Sequence, residues 1–368
     1  MEKLVFIRFQ NIHLHSNLRR NGQTTMNSRN ELLSYPTVRE GLLYETKTHM
    51  VQCNLCERRC LIPEAKRGFC KTRMNIDGKL YTLVYGDINA LESRPIEIKP
   101  FFHFYPASSA LTFSTRSCNF TCPWCQNFHL SRKQPDPGNA NFIAPEVIVK
   151  MAIDNNDDGL CGSFTEPTLL FEYCLDVFPL ANLKGLFNCF VSNGYMTLEA
   201  LRMLKEAGMD AIRIDMKGNK EVYKKFCVAD SEVVWRNIKE AKRLRMHVEV
   251  VNLVIMGVND SEASLMEIIL RCKEIDPNMP LHFTRYHPAY KFTSPPTKEE
   301  TLEKAYIMAK QEGIRFPYVG NVPGHEYEDT YCPSCGDVLI IRYNYGVNAF
   351  FLKDKRCPAC GEAIPIVG

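Results

Sequence analysis

Between residues 110 and 319 the chain alternates short apolar runs with longer stretches in which apolar residues return every three or four positions. The short runs cover 110–115, 159–165, 186–191, 210–216, 247–256, 281–286 and 314–319, and are read as strands. The longer stretches, 145–154, 197–207, 232–244, 261–275 and 298–312, have the period of amphipathic helices. Pro145 before Glu146 and Thr197 before Glu199 are plausible helix starts, while Gly208 and Gly313 stand where C-terminal caps belong. Pro295 and Pro296 mark a loop before the last helix, and no internal repeat or low-complexity segment interrupts the rhythm. Strands alternating with helices build βαβ units on a parallel sheet, so the predicted class is α/β, a complete or partial (β/α) TIM-like barrel.

One strand breaks the apolar pattern. Along 211–218, Arg213, Asp215 and Lys217 alternate with Ile212, Ile214 and Met216, so one face is charged and the other apolar. Charges on a barrel strand require partners or a polar cavity. An Arg-Asp-Lys ion network inside the barrel and a ligand-binding face are both open readings. From residue 331 the alternation stops; two short strands, 338–343 and 349–353, lie between cysteine pairs with no helix. The expected organisation is an N-terminal extension, 1–48, partly disordered; a cysteine-rich subdomain, 49–104; the barrel, 105–325; and a zinc ribbon, 331–368. Residues 1–25, polar and basic with one acidic residue before Met26, are read as a disordered tail or a misplaced start, with a transit peptide as the alternative, and no function is assigned there.

Composition narrows the function. The longest apolar stretch, 248–258, is interrupted by Glu249, Asn252 and Gly257, which excludes a membrane-spanning helix there. The 45 basic and 42 acidic residues are mixed along the chain, so nucleic acid has no bulk electrostatic footprint. Cysteine stands out, with 16 residues. Eleven fall into three groups, and the apolar run at the N-terminus, Leu4 to Ile7, is too short for a secretory signal, so a cytoplasmic protein with metal-binding thiols is expected.

The second group, Cys118-Asn-Phe-Thr-Cys122-Pro-Trp-Cys125, follows the first barrel strand. Three thiolates on one loop hold three corners of a 4Fe-4S cluster and leave the fourth iron open. Zinc, with His129 as fourth ligand, is the alternative. Barrels carry their chemistry at the C-terminal strand ends, where this loop sits. The third group, Cys332-Pro-Ser-Cys335-Gly and Cys357-Pro-Ala-Cys360-Gly, is a zinc-ribbon pattern with a structural ion; Arg342, Lys353, Lys355 and Arg356 are too few for a nucleic-acid face. The first group, Cys53, Cys56, Cys60 and Cys70, supplies four ligands for a closed site, zinc or an auxiliary iron-sulfur cluster, with zinc expected. Arg58, Arg59, Lys66, Arg67, Lys71 and Arg73 around it are read as a solvated basic face. Cys161, Cys174, Cys189, Cys227 and Cys272 are expected to be buried free thiols.

Beyond the loop "TRSCNFTCPWCQN", the segments "SFTEPT" (163–168), "SNGY" (192–195), "DMKG" (215–218), "HFTRYHPAYK" (282–291) and "GNVPGHE" (320–326) resemble the radical S-adenosylmethionine (radical SAM) superfamily. The resemblance runs over residues 50–366 and is strongest to the branch of pyruvate formate-lyase activating enzyme, above all the AmmeMemoRadiSam radical SAM enzymes. It implies an oxidoreductase that cleaves SAM reductively at a 4Fe-4S cluster to methionine and a 5′-deoxyadenosyl radical, which abstracts hydrogen from a substrate. A glycyl radical on a partner protein is the suggested product. Radical modification of another protein, nucleotide or metabolite, or a non-catalytic zinc-ribbon module, are the rival readings. An electron donor such as ferredoxin or flavodoxin is implied. The aromatic position of the cysteine motif is Trp124, and the branch's DxK pair falls on Asp215 and Lys217 as SAM ligands. Glu166 takes the place of the glutamate in the superfamily's Gly-Gly-Glu stretch, although Phe164 and Thr165 replace the glycines here. Asn193 closes the third strand, and His282, Arg285 and His287 cluster on and after the sixth as SAM or substrate contacts; Tyr286 and Tyr290 are read as packing. No residue is assigned to catalysis itself.

Overall fold

A computed structural model describes residues 26–368, so the expectation for residues 1–25 lies outside the described residues. At its centre is one eight-stranded sheet: β1 (Ala90–Pro95), β2 (Ser109–Ser114), β3 (Gly159–Gly162), β4 (Phe187–Ser192), β5 (Ala211–Asp215), β6 (His247–Val254), β7 (Leu281–Arg285) and β8 (Pro317–Gly320). Strand order follows chain order, every pairing from β2 to β8 is parallel, and β1 pairs antiparallel with β2. β1 and β8 are the two edges and do not pair with each other, so the sheet is open.

A helix follows each strand from β2 to β7: α1 (Pro145–Asp154), α2 (Phe171–Asn182), α3 (Leu198–Glu206), α4 (Ser231–Arg243), α5 (Glu262–Ile275) and α6 (Glu299–Gln311). In α4, Val234, Trp235, Ile238 and Ala241 recur at helical spacing and are buried against the sheet side, and Asp230 caps its first turn by accepting from Glu232 N. Thr197 caps α3 through Ala200 N. The apolar period did not mark α2. Its sequence, FEYCLDVFPLAN, is apolar nearly all round, with Pro179 inside, because the helix is buried on most of its surface. Nor did it mark β1, whose residues alternate only weakly between half-buried and exposed.

Before the sheet come two three-stranded antiparallel sheets, one of Tyr44–Lys47, Met50–Cys53 and Leu61–Pro63, the other of Arg39–Glu40, Arg73–Ile76 and Lys79–Thr82. They carry Cys53, Cys56, Cys60 and Cys70. After the sheet, Val338–Tyr343 and Gly346–Phe350 form an antiparallel pair between the two cysteine knuckles. The knuckle glycines Gly336 and Gly361 adopt φ of 84° and 78°, the left-handed turn for which glycine is suited.

The C-terminal unit covers the end of the sheet opposite the cysteine loop. Arg342 donates to Phe102 O at 2.9 Å and lies 4.2 Å over the Phe102 ring. Phe102, Phe316, Tyr318, Leu339, Ile340 and Ile364 form a shared apolar cluster. One carboxylate organises this end. Glu249, fully buried, accepts from Phe102 N, His103 N at 2.8 Å, His247 Nε2 at 2.9 Å and His282 Nε2 at 2.7 Å. Burial opposes its charge, yet the bonds from His247 and His282 hold its pKa well below the usual range.

Candidate functional site

The C-terminal ends of β2 to β8 open onto a solvent-connected cavity of about 380 Å³. Cys118, Cys122 and Cys125 line it, together with Trp124, Glu166, Asn193, Asp215 and Lys217. The fold thus brings eight of the sequence-predicted residues to one cavity. Three others stand elsewhere. His282 lies one layer deeper, at the start of β7, where it is fully buried and bound to Glu249. Arg285 has the opposite parity on the same strand and points away, donating to Thr297 O at 2.9 Å and Glu299 at 2.8 Å. His287 is exposed beyond the strand. Tyr286 is buried, donating to Phe292 O, and Tyr290 stacks on Phe128.

Each cysteine sulfur of the loop has a defined environment. Phe120 N donates to Cys118 Sγ at 3.4 Å, and Cys125 Sγ lies 3.2 Å from Ser131 Oγ. Burial pushes the Cys118 thiol up to about 12, so iron must displace a proton there to bind. Sequence left the trio without a nearby fourth cysteine, but the fold sets Cys227, from the π-helical turn Tyr223–Cys227, with its Sγ 3.7 Å from Cys122 Sγ. Cys227 is not among the residues lining the cavity, so three thiols face it. His129, the alternative fourth ligand, is exposed on the outside of the loop. Trp124 is buried against Phe226 and Phe292.

Glu166 and Asn193 fasten the strand ends. Glu166 Oε1 accepts from Thr168 N and Oγ1 and from Ser192 Oγ, at 3.2, 2.5 and 2.8 Å, and Oε2 accepts from Asn193 N at 2.8 Å. Burial raises its pKa against these bonds. Three of these four bonds end on Oε1 and one on Oε2, so Oε2 keeps capacity for a further donor. Asn193 Nδ2 donates to Asn119 Oδ1 at 2.7 Å, which ties β4 to the residue beside Cys118. Phe164, standing where the superfamily has glycine, adopts a left-handed φ of 61°, and its carbonyl accepts from Asn127 at 2.7 Å. A side chain with a Cβ in that region costs about 1–2 kcal/mol.

The charged face of β5 is both an ion network and a cavity wall. Asp215 pairs with Arg213 through Oδ1 and accepts from Lys217 Nζ at 2.8 Å through Oδ2. Arg213 Nε donates to Lys99 O at 2.9 Å, and burial pulls its pKa down to about 10. Ile212, Ile214 and Met216 are in the core. Sequence reasoning passed over Lys99. It is 5 % exposed, its ammonium lies 4.6 Å from the Phe164 ring, and among the described residues no carboxylate pairs with it. Nor did it mark Asn119; its position inside the cysteine motif was the available signal.

Comparison with known proteins decides the family. Residues 112–271 match the Radical SAM superfamily. The chain is 44 % identical over 335 residues to the uncharacterized protein MJ0808 of Methanocaldococcus jannaschii, covering 90 % of this chain and all of that one. The chain belongs to the radical SAM superfamily. Among solved structures it is similar to a domain of pyruvate-formate lyase-activating enzyme from Bacteroides vulgatus, with 18 % identity, 44 % of this chain and 99 % of that one covered, and a TM-score of 0.38. It is also similar to a radical SAM methyltransferase from Sphaerobacter thermophilus, with 12 % identity, coverage of 80 % and 81 %, and a TM-score of 0.47. Radical SAM membership implies SAM and a 4Fe-4S cluster, and the donor set fits: three thiols face one cavity, while the fourth sulfur stands behind it. Among the described residues no helix is long and apolar enough to cross a membrane.

At the other end, Cys332 Sγ lies 3.5 Å from Cys360 Sγ, Cys335 Sγ 3.6 Å from Cys357 Sγ, and all four sulfurs fall within 4.8 Å of one another. A tetrahedral ion with Zn–S near 2.3 Å sets sulfurs about 3.8 Å apart, so this group fits one metal ion.

Proposed function

We propose that this radical SAM protein cleaves SAM reductively in the cavity at the C-terminal strand ends and uses the resulting 5′-deoxyadenosyl radical to abstract hydrogen from a substrate. The observation that carries the reading is the convergence of Cys118, Cys122 and Cys125 with the Asp215–Lys217 pair in the lining of one cavity. The three thiolates would hold the 4Fe-4S cluster, which when bound supplies one electron to the sulfonium of SAM. Lys217, already in place for a charge-assisted bond, would hold the SAM carboxylate; Asp215 would orient Lys217 and accept from SAM. Glu166 Oε2 has acceptor capacity for the SAM ammonium, and Asn193 keeps the cysteine loop against β4. Trp124 and its aromatic neighbours keep water from one side of the loop. A zinc ion at Cys332, Cys335, Cys357 and Cys360 would be structural.

Resemblance to the activating-enzyme branch makes a glycine residue of a partner protein the first substrate to try. Anaerobic full-length protein with reductant and SAM should form 5′-deoxyadenosine, and a cognate partner should raise its rate. Absence of 5′-deoxyadenosine from cluster-loaded protein, with every reductant, would overturn the reading.

A further inference from the structure

The cavity has a floor as well as a rim, and the floor carries charge that the proposed reaction leaves unused. β1 runs antiparallel to β2 with Pro95 opposite Ser109, so the turn after β1 lies at the end of the sheet away from the cysteine loop. From that end Ile98, Lys99 and Pro100 line the cavity. Arg213 meets them there, its Nε donating to Lys99 O at 2.9 Å. Arg213 precedes Asp215 by two residues on β5, which at about 3.3 Å per residue sets it about 7 Å nearer the floor. Lys99 and Arg213 are both buried.

The chain does not neutralise this floor. Among the described residues no carboxylate and no hydrogen-bond acceptor takes up the Lys99 ammonium, which lies 4.6 Å from the centre of the Phe164 ring, itself part of the lining. A ring face does not offset the cost of burying an ammonium. Arg213 uses Nε on Lys99 O and Nη1 on Asp215, and among the described residues Nη2 has no partner. Asp215 is shared with Lys217, and Glu92 is paired with Arg94 at 2.9 Å. In all, five cationic side chains and three carboxylates line the cavity, an excess of positive charge. The cofactors would not cancel it, because the net negative charge of a three-thiolate cluster and the net positive charge of SAM offset each other.

We infer that Lys99 and Arg213 form a subsite at the cavity floor for one carboxylate or phosphate group of the substrate. Calling the occupant the substrate rests on the proposed SAM chemistry; the anion site itself rests on the unpaired cations. An oxyanion there would accept from the ammonium of Lys99 and from Nη2 of Arg213 in charge-assisted bonds. The backbone of an internal glycine brings no such charge, so the floor favours a small free acid or phosphate ester as the molecule that gives up hydrogen.

Anaerobic, cluster-loaded full-length protein with SAM is melted in rising acetate and, separately, rising inorganic phosphate at constant ionic strength, with Lys99→Met beside the wild type. A probe that binds only the folded state raises the melting temperature along a saturating curve, whereas a general salt effect keeps rising. The wild type should show the saturable rise, and the probe that produces it at the lower concentration tells carboxylate from phosphate. Lys99→Met should bind that probe ten- to a hundredfold more weakly, the worth of a lost charge-assisted bond. Without probe it should melt no lower than the wild type, since it removes a buried charge that has no partner. No saturable rise in the wild type, an equal rise in Lys99→Met, or a lower probe-free melting temperature overturns the subsite. So does a loss of about tenfold or more in calorimetric SAM affinity in Lys99→Met, which would make Lys99 a SAM ligand. If Lys99→Met does not fold, Lys99→Gln is read in the same way, and the wild-type curve decides if neither folds. A wild type that takes up the probe but neither binds nor cleaves SAM would sink the SAM reading and leave the anion site standing.

Discussion

Replacing Lys217 by Met and Asp215 by Asn separates the two roles of the charged strand. Arg213, Asp215 and Lys217 side chains are 11, 28 and 13 % exposed, so the network is mostly but not wholly withdrawn from water. Asp215→Asn leaves two cations on one wall without a counterion; breaking a buried pair costs about 3 to 5 kcal/mol, and the partial exposure of Asp215 sets the expectation at the low end, about 3 kcal/mol. Lys217→Met leaves the Arg213–Asp215 pair intact, so its cost in stability should be about 1 kcal/mol. Its effect on ligand should be larger, because a charge-assisted hydrogen bond is worth roughly 1.5 to 3 kcal/mol. At about 1.4 kcal/mol per decade, the Kd of SAM should rise ten- to a hundredfold. Cluster-loaded wild type, both single variants and the double variant are titrated calorimetrically with SAM beside thermal melts. The double variant should regain stability relative to Asp215→Asn while SAM affinity stays low. Unchanged SAM affinity in Lys217→Met, with a lowered melting temperature, would refute ligand binding and leave only the ion network.

Three further outcomes follow from the geometry. Cys357→Ser should release about one metal ion and loosen the C-terminal unit, because binding free energy is folding free energy in such sites; SAM cleavage without substrate should persist, since this unit contacts Phe102 at the opposite end of the sheet, and collapse of cluster content would contradict that placement. Gly159→Ala would set a Cβ 2.1 Å from the Phe187 ring, so overpacking should cost about 1 to 3 kcal/mol by chemical denaturation, and an unchanged midpoint would contradict the close approach. Burial pushes Glu328 up to about 7 from an ordinary 4.5, so its folded form favours the proton; the stability it contributes is present in acid and lost as pH rises from about 4.5 through about 7, and Glu328→Gln should remove that part of the slope in melts between pH 5 and 8.

The period of apolar positions was enough to locate seven strands and five helices to within about three residues, because that period is set by each element's own geometry. The cysteine motifs were equally legible, since chelation by one loop or one knuckle needs only local spacing. Where a polar residue points was not legible in the same way. His282 and Arg285 are close in sequence, yet parity sends one inward to Glu249 and the other outward to Glu299. The layer at which His282 then sits depends on the register of β7 against its neighbours, which places Thr284, not His282, at the cavity. Helix α2 escaped notice because a helix buried nearly all round shows no apolar stripe. Cys227 approaches Cys122 across 105 residues, and Arg73 is buried only because Glu172, 99 residues away, waits inside the fold to neutralise it. Sequence by itself determined most of the elements and grouped the candidate ligands, whose physics is local; tertiary structure alone decided which charges share a cavity, since that depends on strand register and on partners brought together by folding.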